Sequence, residues 1–237
     1  MDQKTKKSFQ EIVERVQSKA SLKQAIYRNT LESFERFKAC GEELVEKLRT
    51  KMDTFDKDVQ IEYKEIGEFE FQIKVGGDVI LFYMHSNVFD FDPSHPIKQS
   101  AYVKEDTSRS YCGVINIYNF LSDSFKYSRY DDSGYLIGRA FINKDKHFFM
   151  EGKRQLNFIY NNFVNDTIDK ACIREVIHHA ILYSMDFDLF TPPYRHVQEM
   201  SVGQLLQEAS GMRMKTSKRL GFRFSFDDGE GENQFPT

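Results

Sequence analysis

Two hydrophobic periods divide the chain. Over residues 1–57 apolar positions recur every three or four residues, at Phe9, Ile12, Val13 and Val16 and again at Leu31, Phe34, Phe37, Leu44 and Leu48. That spacing draws one stripe along a helix. The stretch has no Pro, its one Gly is Gly41, and Glu, Lys, Arg, Ala and Leu are plentiful, all of which suits helix. Ser21 and Gln24 have the spacing of a capping box, so the segment reads as one long helix or as two, the second starting there. The heptad is irregular between Lys19 and Lys23, which favours packing on the protein's own sheet over a dimerising coiled coil.

After Asp58 the period becomes two. Phe69, Phe71, Ile73 and Val75 alternate with Glu68, Glu70, Gln72 and Lys74, the pattern of a half-buried strand. Gly76 and Gly77 supply a tight turn, and the apolar run from Val79 to Met84 completes a hairpin. Val59, Ile61 and Tyr63 predict a strand before it, turned at Gly67. Residues 85–110 carry two Pro and many polar residues and read mostly as loop, long enough to be a place to look for a site. Strands resume over 111–118, 134–142 and 147–151, with Asn143 to Lys146 as a turn.

Helical spacing returns beyond Lys153, with Ile168, Cys172, Val176, His179 and Tyr183 on one face, Asn165 or Asp166 as N-cap, and an end near Asp186. Pro192 and Pro193 impose an extended passage. SVGQLLQEAS reads as a short helix and RLGFRFSF as a last strand before the acidic tail from Asp227. The whole predicts a single α+β domain. Its helical segment covers 1–57, its mostly antiparallel meander 58–153, its helical cover 154–226 and its tail 227–237.

Composition narrows the function classes. The 237 residues are 40% hydrophobic, as expected of a chain that buries a core, and hold 22 Phe, 12 Tyr and no Trp. A net charge of -3 gives no global pull toward nucleic acid or an anionic membrane. Cys40, Cys112 and Cys172 lie far apart without the Cys-x-x-Cys spacing of a zinc site. No run approaches the roughly 18 apolar residues of a membrane span. A reducing, cytoplasmic setting is the expectation.

One motif carries catalytic chemistry. The stretch HFFMEGK ends an apolar run on Glu151, Gly152 and Lys153, and Asp131 and Asp132 precede the apolar GYLIGRAFINK. Over these 23 or so residues the order resembles that of the PD-(D/E)xK nucleases, although the Pro that often begins the motif is absent. The resemblance implies a divalent-metal-dependent nuclease with Asp132 and Glu151 as ligands of Mg or Mn and Lys153 charge-stabilising the attacking water. Against it, strands commonly end in charged residues, and a three-letter motif arises easily by chance.

Other groupings are thinner. Glu175, His178 and His179 form one Glu-x-x-His, where a di-metal bundle uses two. His85, Asp90, Asp92 and His95 could clasp a metal, but FDFDP equally suits an extended segment with rings inward. Arg213, Lys215, Lys218, Arg219 and Arg223 form a basic strip that the acidic tail nearly cancels. The leading expectation is a non-enzymatic protein-interaction or ligand-binding module. Its partner would be a protein or a small apolar ligand, with a homodimer through the N-terminal helix as one arrangement and nucleic acid only under the nuclease alternative.

Overall fold

A computed structural model describes residues 3–191, 193–211 and 217–218. The chain forms two compact units, Met1–Asp186 and Phe187–Thr237.

The first unit opens with one continuous helix. Helix α1 (Gln3–Arg15) passes through a π-helical segment (Val16–Ala20) into α2 (Ser21–Met52). Arg15, Ala20 and Ser21 all hold right-handed helical angles, so of the two readings, one long helix or two, the structure has the continuous one. The Ser21 hydroxyl donates instead to the Val16 carbonyl five residues back, inside the π turn. The apolar stripe also divides there. Ile26, Phe34 and Phe37 of α2 are fully buried, whereas Phe9, Ile12 and Val16 are 58%, 59% and 56% exposed. The expected packing on the sheet holds for α2 and fails for α1.

The sheet is a six-stranded antiparallel meander in chain order: β1 (Ile61–Gly67), β2 (Glu70–Val75), β3 (Asp78–Met84), β4 (Gly113–Leu121), β5 (Tyr135–Ile142) and β6 (Phe148–Gly152). Between β2 and β3, Gly76 takes φ +57, a left-handed angle that glycine adopts without steric cost. Register fixes the two faces. Phe71, Phe82 and Ile117 stand in one cross-strand row, and the Phe71 and Phe82 rings stack at 4.6 Å with Phe34 and Phe37 of α2 tilted against them. Helix α6 (Lys170–Met185) lies beside α2 and buries Ile173, Val176, Ile177 and Ala180. Its N-cap is Asp169, whose carboxylate accepts from the Cys172 amide, rather than Asn165 or Asp166.

The opposite face is half covered. Its row Val114, Phe141 and Phe149 lies under a strap made of residues 85–112. The strap is no open loop: it contains α3 (Pro96–Gln99), α4 (Ala101–Glu105) and a 3-10 turn (Thr107–Ser110), and Phe89 bridges back to Cys112. Side chains of His95, Ser100 and Asp106 each accept from a backbone amide two or three residues on, so each short helix carries its own cap. Phe91, Ile97, Tyr102 and Val103 of the strap close a cluster with Val114, Phe141, Phe149 and Phe163.

Helix α5 (Ser122–Lys126) follows β4, and a 3-10 turn (Arg154–Asn157) follows β6. The outer margin of β6 is sealed by the chain beyond it: Phe148 and Met150 amides donate to the Asp166 and Tyr160 carbonyls at 2.9 Å, and His147 bridges to Thr167.

In the second unit, β7 (Leu189–Phe190) pairs antiparallel with β8 (Ser217–Lys218), with α7 (Tyr194–Val197) and α8 (Val202–Gly211) between them. The expected SVGQLLQEAS helix is α8, and Ser201 and Gln204 cap it reciprocally. The expected RLGFRFSF strand, the acidic tail and nearly all of the basic strip lie outside the described residues. Among the described residues no helix is long and apolar enough to cross a membrane.

Candidate interaction surface

The carboxylates singled out in the sequence belong to separate networks. Asp132 lies three residues before β5 and accepts from the Ser124 hydroxyl at 2.5 Å and the Arg129 guanidinium at 2.7 Å. Arg129 is nearly buried, with 7% of its side chain exposed, so Asp132 neutralises a cation that the fold has taken out of water. Glu151 stands on β6 directly opposite Arg139 of β5. One of its oxygens takes the Arg139 fork and the other faces His95 Nε2 at 3.5 Å. Lys153 is exposed just past β6, and its amide donates to the Ile137 carbonyl. No group of three or more His, Cys, Asp or Glu is placed to hold a metal among the described residues.

The strap's polar residues are spent on holding it down. Asp90 accepts from Lys98, from Ser110 at 2.7 Å and from the Phe91 amide. Burial works to raise the Asp90 carboxyl, yet the bonds from Lys98 and Ser110 bring it below the ordinary carboxylate value. Lys98 lies 3.0 Å from the Ser110 hydroxyl, a spacing shared with Ser–Lys nucleophile pairs. Ser110 is fully buried, so no substrate reaches its oxygen and the trio acts as a clamp. Asp92 caps Ser94, and His95 caps Ile97 while its ring lies 4.6 Å from that of Phe91.

A second clamp centres on Asn143, at the turn between β5 and β6. Fully buried, it donates to the Tyr102 hydroxyl at 3.0 Å and accepts from the amides of Asp145 and His147. The Tyr102 hydroxyl donates to Asp145 at 3.0 Å, its ring stacks on His147, and the Arg109 guanidinium lies over the ring, 4.4 Å from its centre. Burial pushes that hydroxyl up to about 12. Lys144 pairs with Asp106, and Asn29 of α2 donates to the Asn143 and Lys144 carbonyls. Nothing in the spacing of these residues marks them as one network, because the contacts that join Tyr102, Asp106 and Asn29 to the turn span 38 positions or more.

On α6, His178 is exposed and His179 half-buried. Glu175 accepts from Tyr160 and lies 3.8 Å from His179. The pair is a surface contact. Burial raises the thiols of Cys40, Cys112 and Cys172, which keeps them protonated and weakly nucleophilic at neutral pH. A pocket of about 240 Å³ between α2 and the strap is lined by Lys23, Gln24, Tyr27, Ser86, Asn87 and Val88, a mostly polar wall.

The α1 arm is different in kind. Among its described side chains from Thr5 to Ala20, Val13 is half-buried and the rest are exposed. Phe9, Ile12, Val13 and Val16 fall within about 100° of arc at 100° per residue. Glu11 and Arg15 pair with each other on the polar side, as do Gln10 and Glu14. The arm therefore presents an apolar ridge to water.

No family model, curated protein or solved structure matches the chain. The geometry alone supports a reading.

Proposed function

We propose that this protein is an interaction module whose docking element is the α1 arm. The observation that carries the reading is the exposure of Phe9, Ile12 and Val16 at more than half of their surface along one side of a helix. Covering an apolar ridge of this size takes it out of water and is favourable, and scattered single apolar residues would not align so. The occupant is a protein with an apolar groove, the helix-in-groove mode. A long two-stranded coiled coil is disfavoured, because the π turn at Val16–Ala20 shifts the phase and Lys19 and Lys23 follow the ridge.

The test places a photo-crosslinking residue at Gln10 or Gln17 of the full chain in its native cells. The expected result is one protein adduct that Phe9→Ser with Ile12→Ser removes. Adducts that survive the double substitution, or none at all, end the reading.

A further inference from the structure

Strand β1 forms one margin of the sheet, and β2 is its strand partner among the described residues. Its outward backbone groups can be assigned. The Gly76 amide donates to the Gln60 carbonyl at 2.8 Å, and Ile61 stands opposite Val75. Ile61 and Val75 are thus a non-hydrogen-bonded pair, and alternation along an antiparallel ladder does the rest. Glu62 and Lys64 turn their N–H and C=O groups toward β2. Ile61, Tyr63 and Glu65 turn theirs outward.

A second β1 approaching antiparallel must place inner side chains opposite inner ones, so that the face of β1 packed by α2 continues across the seam. The two-fold axis must then pass through a residue. An axis at Glu62, Lys64 or Glu65 sets that charge directly against its own copy, which is unfavourable. An axis at Ile61 leaves Lys64 beyond the strand, opposite Asp58, and shortens the ladder. An axis at Tyr63 sets Glu62 opposite Lys64 on both sides of the seam, and the outward groups of residues 61, 63 and 65 meet as hydrogen-bonded pairs. Glu62 and Lys64 are both exposed. On the inner face two Tyr63 rings meet, each already 5.6 Å from Phe71.

We propose that β1 is a homodimer seam, joining two copies of this chain about a two-fold axis at Tyr63 into one sheet of twelve strands. The seam is separate from the α1 ridge.

Sedimentation equilibrium of the full chain over a wide concentration range tests it. The wild type forms a reversible dimer. Glu62→Lys and Lys64→Glu each weaken it by about tenfold or more, since two attractive pairs become repulsive, and the double variant E62K/K64E restores it. Phe9→Ser with Ile12→Ser leaves the dimer intact, and circular dichroism verifies the fold of every variant. A monomer at all concentrations overturns the seam. So does a dimer that neither reversal weakens, a double variant that does not recover, or a dimer lost with the α1 ridge alone.

Discussion

Arg139 on β5 and Glu151 on β6 stand directly opposite each other, and the guanidinium Nε and a terminal nitrogen reach the same carboxylate oxygen at 2.7 and 2.6 Å. The pair is about half exposed on the arginine side, so water screens it. Glu151→Gln is expected to cost about 0.2–1 kcal/mol of stability in urea denaturation, a difference that shrinks in high salt. An increase in stability on substitution would contradict this role.

Glu43 of α2 faces three cations, Lys47 of its own helix and Lys170 and Arg174 of α6, at 2.7, 3.2 and 2.9 Å. Hydrogen bonds from Lys47, Arg174 and Lys170 lower its carboxyl from 4.5 to about 2. A folded value below the unfolded one means that the contribution is present above pH 4.5 and is lost as pH falls toward 2. The stability gap between wild type and Glu43→Gln should therefore be constant near neutrality and close over that acid window. A gap that widens in acid would reverse the sign.

Gly113 brings β4 against α2. A methyl group built there would come within 2.0 Å of the Thr30 hydroxyl, itself buried and bonded to the Ile26 carbonyl. Gly113→Ala must push helix and strand apart, at a cost of about 1–3 kcal/mol or more. Thermal unfolding of the variant measures it, and an unchanged midpoint would show that the close approach is dispensable.

Tyr102→Phe removes the hydroxyl that links Asn143 to Asp145. Asn143 keeps its bond to the Arg109 carbonyl, so the loss is set near 1–2 kcal/mol rather than a full orphaned amide. Hydrogen exchange should report it as faster opening of the strap, not of α2. Equal acceleration in both would mean that the clamp is not local.

The sheet was readable because each strand repeats its own pattern: Phe71, Ile73 and Val75 announce β2 by alternation, and Gly76–Gly77 announces the turn. The strap was not. Its three short helices are each nucleated by one capping side chain, His95, Ser100 or Asp106, and four or five residues are too few to show a helical period. Periodicity also reported a stripe through Phe9 and Phe37 alike, although one is exposed and the other buried, because spacing gives the side of a helix without saying what covers it. The carboxylates fared likewise. The order Asp132, Glu151, Lys153 was plain in the chain, but Asp132 is held by Ser124 of α5 and Arg129 of the turn after it, and Glu151 by Arg139 across the β5–β6 register and His95 of the strap, pairings that no motif encodes.

The sealing of β6 by the 160–167 segment gives the molecule a polarity that bears on how far it can assemble. Among the described residues the sheet is closed at β6 and bordered at β1 by no further strand, so edge pairing there would admit one neighbour and use the last margin. Growth by that route would terminate at a pair, without the open-ended stacking that two bare margins invite.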